Sequence, residues 1–231
     1  MSKFRLLSVG GALAMLTATA AQAALVGITN GNFETQVLTS PNYTSAITDW
    51  FESNLEPSDG QPTFYHDWLY KEAGHFTNGT NLLGLSEPVN AGYVYQQIGT
   101  YSANEIIEVS GIALKRLVNN FGGFTVSLLS GNFSGADGTP LSATLLDSAS
   151  FTGAGLGLPT GSGAAQAPFS ANLDSGNAGV GGTPLWLLIT PSNSEGTETF
   201  LDNLQAVPEP GGLVLLGAAG VLGVRRRSGH A

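Results

Sequence analysis

Between residues 91 and 206 this chain falls into short runs in which apolar and polar residues alternate, each closed by Gly, Pro, Asn or Ser. A period of two over so few residues suits a half-buried strand, and nothing between the chain ends sustains a helical period. The runs cover residues 91–98, 105–115, 123–129, 141–146, 185–190 and 199–206. With 32 glycines and 11 prolines to supply bends, the expected fold is all-β, an antiparallel β-sandwich of the jelly-roll kind. Residues 151–182 fit the rhythm least, since glycine is frequent there and Asp174 is the sole charge. They read as long loops around one or two weak strands, and 184–189 as a return into the same sheet.

Both ends stand apart from this pattern. Lys3 and Arg5 precede an apolar stretch over 6–20, and Ala21-Gln22-Ala23 offers a small-residue cleavage site before Ala24. Residues 1–23 are therefore expected to be a secretory signal peptide. At the other end Val207-Pro208-Glu209-Pro210 leads into an apolar segment over about 211–224, then Arg225, Arg226 and Arg227. As a helix that segment would be roughly 21 Å long, against a hydrocarbon core of about 30 Å, so it makes a weak anchor. The clustered arginines favour the cytoplasmic side.

The order of Pro-Glu-Pro, apolar stretch and arginines resembles the sorting tail of PEP-CTERM proteins of Gram-negative bacteria. The resemblance implies three segments: 1–23 signal peptide, 24–206 ectodomain, 207–231 sorting tail. It also implies a partner, an exosortase-like membrane enzyme that processes the chain near Pro208, Glu209 and Pro210. The chain would sit transiently in the inner membrane, then reach the cell surface or an extracellular polysaccharide matrix such as a biofilm.

The exported part is strongly acidic. Of the basic residues only Lys71, Lys115 and Arg116 lie between Glu34 and Glu209, against all 17 Asp and Glu, so this part is more acidic than the whole-chain charge of −9 suggests. That excludes nucleic acid as an expected partner and leaves divalent cations as candidates. There is no cysteine, so disulfides, thiolate metal sites, cysteine nucleophiles and a lipobox anchor are all ruled out.

A second resemblance runs through the ectodomain. Asn30-Gly31-Asn32-Phe33-Glu34, Trp50, Val94-Tyr95-Gln96-Gln97-Ile98 and Phe200-Leu201-Asp202-Asn203-Leu204 look like the galactose-binding-like jelly rolls, among them many carbohydrate-binding modules. The residues add a reason of their own. Period two would place Phe200, Asp202 and Leu204 on one face, and a carboxylate turned inward needs a partner. The alternative is a bulge or strand end that turns Asp202 outward or lets it cap a turn. In related jelly rolls a structural calcium joins first and last strands; carried over, Glu34 and Asp202 would be its side-chain ligands, with backbone carbonyls completing the shell.

Aromatic residues crowd the first half, including Trp50, Phe51, Trp68, Tyr93 and Tyr95. Most are expected in the core; Trp68, in a polar and loop-like context, is the candidate exposed platform for a sugar. His66 and His75 have no metal-ligand spacing, and no nucleophile elbow, phosphate loop or HExxH helix occurs. The expected protein is thus non-enzymatic and exported. The alternative is a carbohydrate-binding module recognising matrix polysaccharide, and a secreted glycosidase comes third.

Overall fold

The computed structural model describes residues 27–36, 43–44, 47–52, 67–71, 81–85, 93–115, 120–133, 143–192 and 197–209. The signal peptide, the apolar tail helix and the three terminal arginines lie outside them, as do His66 and His75. Among the described residues there is no helix, and so none long and apolar enough to cross a membrane.

The described residues form twelve strands, in order: β1 Tyr43–Thr44, β2 Phe51–Glu52, β3 Asp67–Lys71, β4 Asn81–Leu85, β5 Val94–Thr100, β6 Ile106–Lys115, β7 Asn120–Phe121, β8 Phe124–Ser130, β9 Thr144–Phe151, β10 Ala165–Asp174, β11 Pro184–Pro191 and β12 Thr197–Pro208. They form two sheets. One has seven strands in the order β1-β3-β4-β12-β6-β10, with β7 attached to β12; the other runs β2-β5-β11-β8-β9. Every pairing is antiparallel except the short β7–β12 contact. All six alternating runs named above correspond to strands, with ends displaced by a few residues.

The core lies between the sheets. Leu185, Leu187 and Ile189 of β11 are fully buried, as are Val126 and Leu128 of β8. The opposite sheet contributes Ile107, Val109 and Leu201 to the same cluster. Phe124 and Phe151 of one sheet meet Phe169 of the other, with ring centroids 4.9–5.0 Å apart. Burying each such side chain contributes on the order of 1.5–3 kcal/mol.

The glycine-rich stretch holds more order than its composition suggests. β10 is a ten-residue strand, paired with β6 along its whole length. Its buried positions include Ala167, Phe169 and Leu173, so the alternation exists but is partly carried by small residues. Pro168 is tolerated because β10 is an edge strand. Before β10, the loop carbonyls of Gly161 and Gly163 accept from the Lys115 ammonium, the latter at 2.8 Å. Lys115 is fully buried, a position an ammonium occupies only when its protons are bonded.

Two stability predictions follow from this packing. Phe124→Ala should cost about 3–5 kcal/mol in urea unfolding, because it empties the aromatic contact between the sheets. Lys115→Met should cost about 2–3 kcal/mol, because two carbonyls lose a charged donor; an unchanged midpoint would show that the loop is not held through Lys115.

Candidate functional site

The four motif segments meet in space. Asn30 turns the chain in the left-handed region (φ 51°) and uses both ends of its amide, accepting from Thr35 N–H and donating to the Thr48 carbonyl. Phe33, also left-handed at φ 56°, is fully buried with its ring 5.8 Å from that of Trp50. A bulky residue rarely takes that conformation, and here packing holds it there. Gln96, buried on β5, accepts from Thr29 N–H and donates to the carbonyls of Thr29 and Asp49. One side chain thus ties two loops to the five-stranded sheet.

Gly31 brings this segment onto the last strand. Its carbonyl accepts from Leu204 N–H at 2.9 Å, and a β-carbon at this position would collide with the Leu204 carbonyl oxygen. Only glycine permits so close a backbone approach.

The contact falls on a bulge. The β12–β6 register shifts between Asp202 and Gln205, and Asn203 is left-handed at φ 51°. The strict period of two therefore fails at this point. Phe200 packs with Leu82 and Leu114 in a small cluster of its own, whereas Leu201 and Leu204 enter the main core. Asp202 stands opposite Ile112, and Phe200 opposite Leu114, so Asp202 shares a face with Phe200 and not with Leu204.

Asp202 is nonetheless buried, at 2% exposure. Its Oδ1 accepts from Asn203 N–H at 2.7 Å and its Oδ2 from the Asn203 amide at 3.4 Å. Burial pushes its pKa up to about 6; the Asn203 N–H opposes the rise, and the nearby Glu34 carboxylate adds to it. Glu34 is held in turn by Asn81 N–H, which donates to its Oε1 at 2.8 Å. The Asn81 amide nitrogen donates to the carbonyls of Phe33 and Gln36. That leaves Asn81 Oδ1 buried and without a hydrogen-bond partner.

These residues are the ones that could hold a metal ion. The fold brings the Glu34 carboxylate close enough to Asp202 to disfavour ionisation of Asp202, and beside Glu34 an amide oxygen lacks a donor. Oxygen-only donors suit a hard divalent cation such as calcium. Among the described residues no group of three or more His, Cys, Asp or Glu converges, so neutral oxygens would complete such a shell. The sequence singles out Glu34 and Asp202 but not Asn81, whose only signal is its place after polar residues at the start of β4.

A second candidate surface is aromatic. On the outer face of the five-stranded sheet Phe51 stacks on Tyr95 at 5.3 Å, and Tyr95 stacks on Phe133 at 4.5 Å. Trp186 meets Tyr95 edge-on at 5.7 Å and lies 5.0 Å from Phe133. Its indole N–H donates to the Gly131 carbonyl, which fixes the ring. Phe51 is 48% exposed, and Gln97, exposed, stands opposite Trp186 in the ladder. Trp186 and Phe133 are absent from the candidates read from sequence, because Trp186 sits in an apolar strand that looks wholly internal. Trp68, expected in a loop, belongs to β3 and pairs with Gly84.

No family model matches this chain, and no curated protein sequence does. Among solved structures, a Stig cyclase from Fischerella sp. TAU in complex with (3Z)-3-(1-methyl-2-pyrrolidinylidene)-3H-indole aligns with a TM-score of 0.55 at 16% identity, over 81% of this chain and 98% of the cyclase. An apo form of a Fischerella cyclase aligns with a TM-score of 0.56, also at 16% identity, over 82% of this chain and 98% of that one. A family 16 carbohydrate-binding module overlaps at a TM-score of 0.37 and 14% identity, over 65% of this chain and 89% of the module; an overlap at that level does not distinguish one β-sandwich from another. The cyclases share the fold. That corrects one expectation: a fold that spans nearly the full length of catalytic proteins gives no ground for calling this chain non-enzymatic.

Asp202 makes stability depend on pH when divalent cations are removed. Its folded pKa lies above its unfolded value, so the folded state binds the proton more tightly, and the resulting stability is complete below about 4 and lost as pH rises through about 6. The shift corresponds to about 3 kcal/mol. In EDTA, the difference in unfolding free energy between the native chain and Asp202→Asn should change by that order between pH 4 and 7. A pH-independent difference would contradict a strained carboxylate.

Proposed function

We propose that this chain is an exported protein of the cell surface or extracellular matrix, whose β-sandwich is a jelly-roll module binding polysaccharide on the aromatic outer face of its five-stranded sheet. The observation that carries the binding reading is the half-exposed Phe51 ring stacked on Tyr95, backed by Trp186 and Phe133. Sugar rings offer apolar C–H faces to aromatic planes, while their hydroxyls need polar groups beside the stack; Gln97 is placed to serve them. The acidic composition favours neutral glycans over anionic ones, by charge alone.

Calcium completes the proposal as a structural ion held by Glu34, Asp202 and Asn81 Oδ1. Its positive charge would lower the Asp202 pKa towards the usual carboxylate range and satisfy the amide oxygen. The effect would be to pin the start of the mature chain to its last strand. Sorting rests on the sequence of the two ends: a cleavable signal before Ala24, and the tail of Val207, Pro208, Glu209, Pro210 and Arg225–Arg227 for an exosortase-like membrane enzyme.

Affinity electrophoresis through neutral and acidic polysaccharides tests the binding surface. Phe51→Ala should weaken retention by roughly tenfold, on the scale of one lost aromatic contact, while Trp68→Ala serves as comparison. Equal retention of the native chain and Phe51→Ala would reject this face, and release of shortened glycans would make the module a hydrolase. Calcium should raise the melting temperature of the native chain and leave Asp202→Asn unmoved; no calcium response in the native chain would reject the ion. Mass spectrometry of the exported protein should find an N-terminus at Ala24 and a C-terminus near Val207, and a released form that keeps the three arginines would reject sorting.

A further inference from the structure

The proposed processing motif does not begin where the sandwich ends. β12 runs through Val207 and Pro208, which stand opposite Glu108 and Ile107 of β6. Glu209 continues the ladder, its N–H donating to the Ile106 carbonyl at 2.9 Å. From the other side of β6, Asn172 of β10 reaches over and donates to Glu209 Oε1 at 2.6 Å. Val207, Pro208 and Glu209 are exposed in their side chains while their backbone is part of the sheet.

We propose that the folded sandwich holds its own processing motif closed, so that β6 and the sorting enzyme compete for the backbone of residues 207–209. The inference rests on the sorting reading of the tail. A peptidase takes its substrate as an extended strand and pairs with the backbone groups around the bond it attacks. Here the groups on one side of that strand are already paired with β6. Processing therefore proceeds from a frayed state in which the end of β12 has left the sheet, and its rate follows the fraction of time spent open.

The closure is small and local. Pro208 takes the alternate ladder position that faces away from β6, so among the described residues the end beyond Val207 is held by one backbone bond and one side-chain bond. Losing a bond of ordinary net strength raises the open fraction about fivefold. The core residues Leu204 and Ala206 lie before the motif, and fraying leaves them in place.

Amide hydrogen exchange on the full chain in detergent tests the docking. Glu209 N–H should exchange at least about tenfold more slowly than in a free peptide spanning residues 203–213, and Asn172→Ala should speed it about fivefold. A variant with Gly-Ser-Gly-Ser inserted between Ala206 and Val207 keeps the motif but lifts it off the sheet, and its Glu209 should exchange at the peptide rate. In cells carrying an exosortase, pulse-chase should show this variant losing its arginine end faster than the native chain. Peptide-like exchange of Glu209 in the native chain overturns the closure, as does equal processing of the two forms. If neither form is processed, the sorting reading fails and the gating falls with it, while the exchange rates still report whether the strand end is docked.

Discussion

The backbone contact between Gly31 and Leu204 is the constraint on which the rest of this structure depends. It joins the start of the described chain to the last strand at a distance that excludes any β-carbon at 31. From it follow the left-handed turns at Asn30 and Phe33, the burial of the Phe33 ring against Trp50, and the placement of Glu34 beside Asn81. The bulge after Asp202 belongs to the same contact. It changes the phase of β12 so that Leu204 can enter the core while Asp202 stays with Phe200 on the other face. A regular strand would have kept Leu204 on the outer face with them.

A price is visible at that junction. Two carboxylates lie near each other, one of them buried, and an amide oxygen has no donor. Elsewhere the buried polar groups are well served: Gln96 makes three hydrogen bonds and Lys115 binds two carbonyls. Local strain combined with unmet polar demand is more often a binding feature than a packing fault. The aromatic surface has another character. There the outer face of the five-stranded sheet carries a fixed ring cluster, with Trp186 anchored by its own N–H and Phe51 left in the open.

Much of the fold was legible in the sequence. The runs located β5, β6, β8, β9, β11 and β12 because each is short, apolar on at least one face and closed by turn residues. β10 was legible only as one of one or two weak strands within 151–182, because alanine occupies positions where larger residues would have marked the core. Trp68 was misplaced for the converse reason, since the polar His66-Asp67 before it hid a strand near the sheet edge. Of the site, Glu34 and Asp202 could be named from a motif, but Asn81 could not. An asparagine that opens a strand is common, and only the hydrogen bonding of its amide makes it unusual.

What the sequence determined by itself was the class of fold, the acidity of the chain between its two ends, the absence of thiol chemistry and a pair of candidate carboxylates. Those properties follow from local periodicity and composition, which do not depend on how distant segments meet. Tertiary structure decided the rest. It brought residues 30–34, 81, 96 and 202–204 together across gaps of up to 170 or so positions, a convergence that loop closure permits but no sequence spacing encodes. It also decided that period two would fail at Asp202, since a bulge is set by the neighbouring backbone at Gly31 and not by the residues of the strand alone. And it placed the Pro-Glu-Pro motif partly within the sheet, where a reading of the chain in order would end the domain just before it.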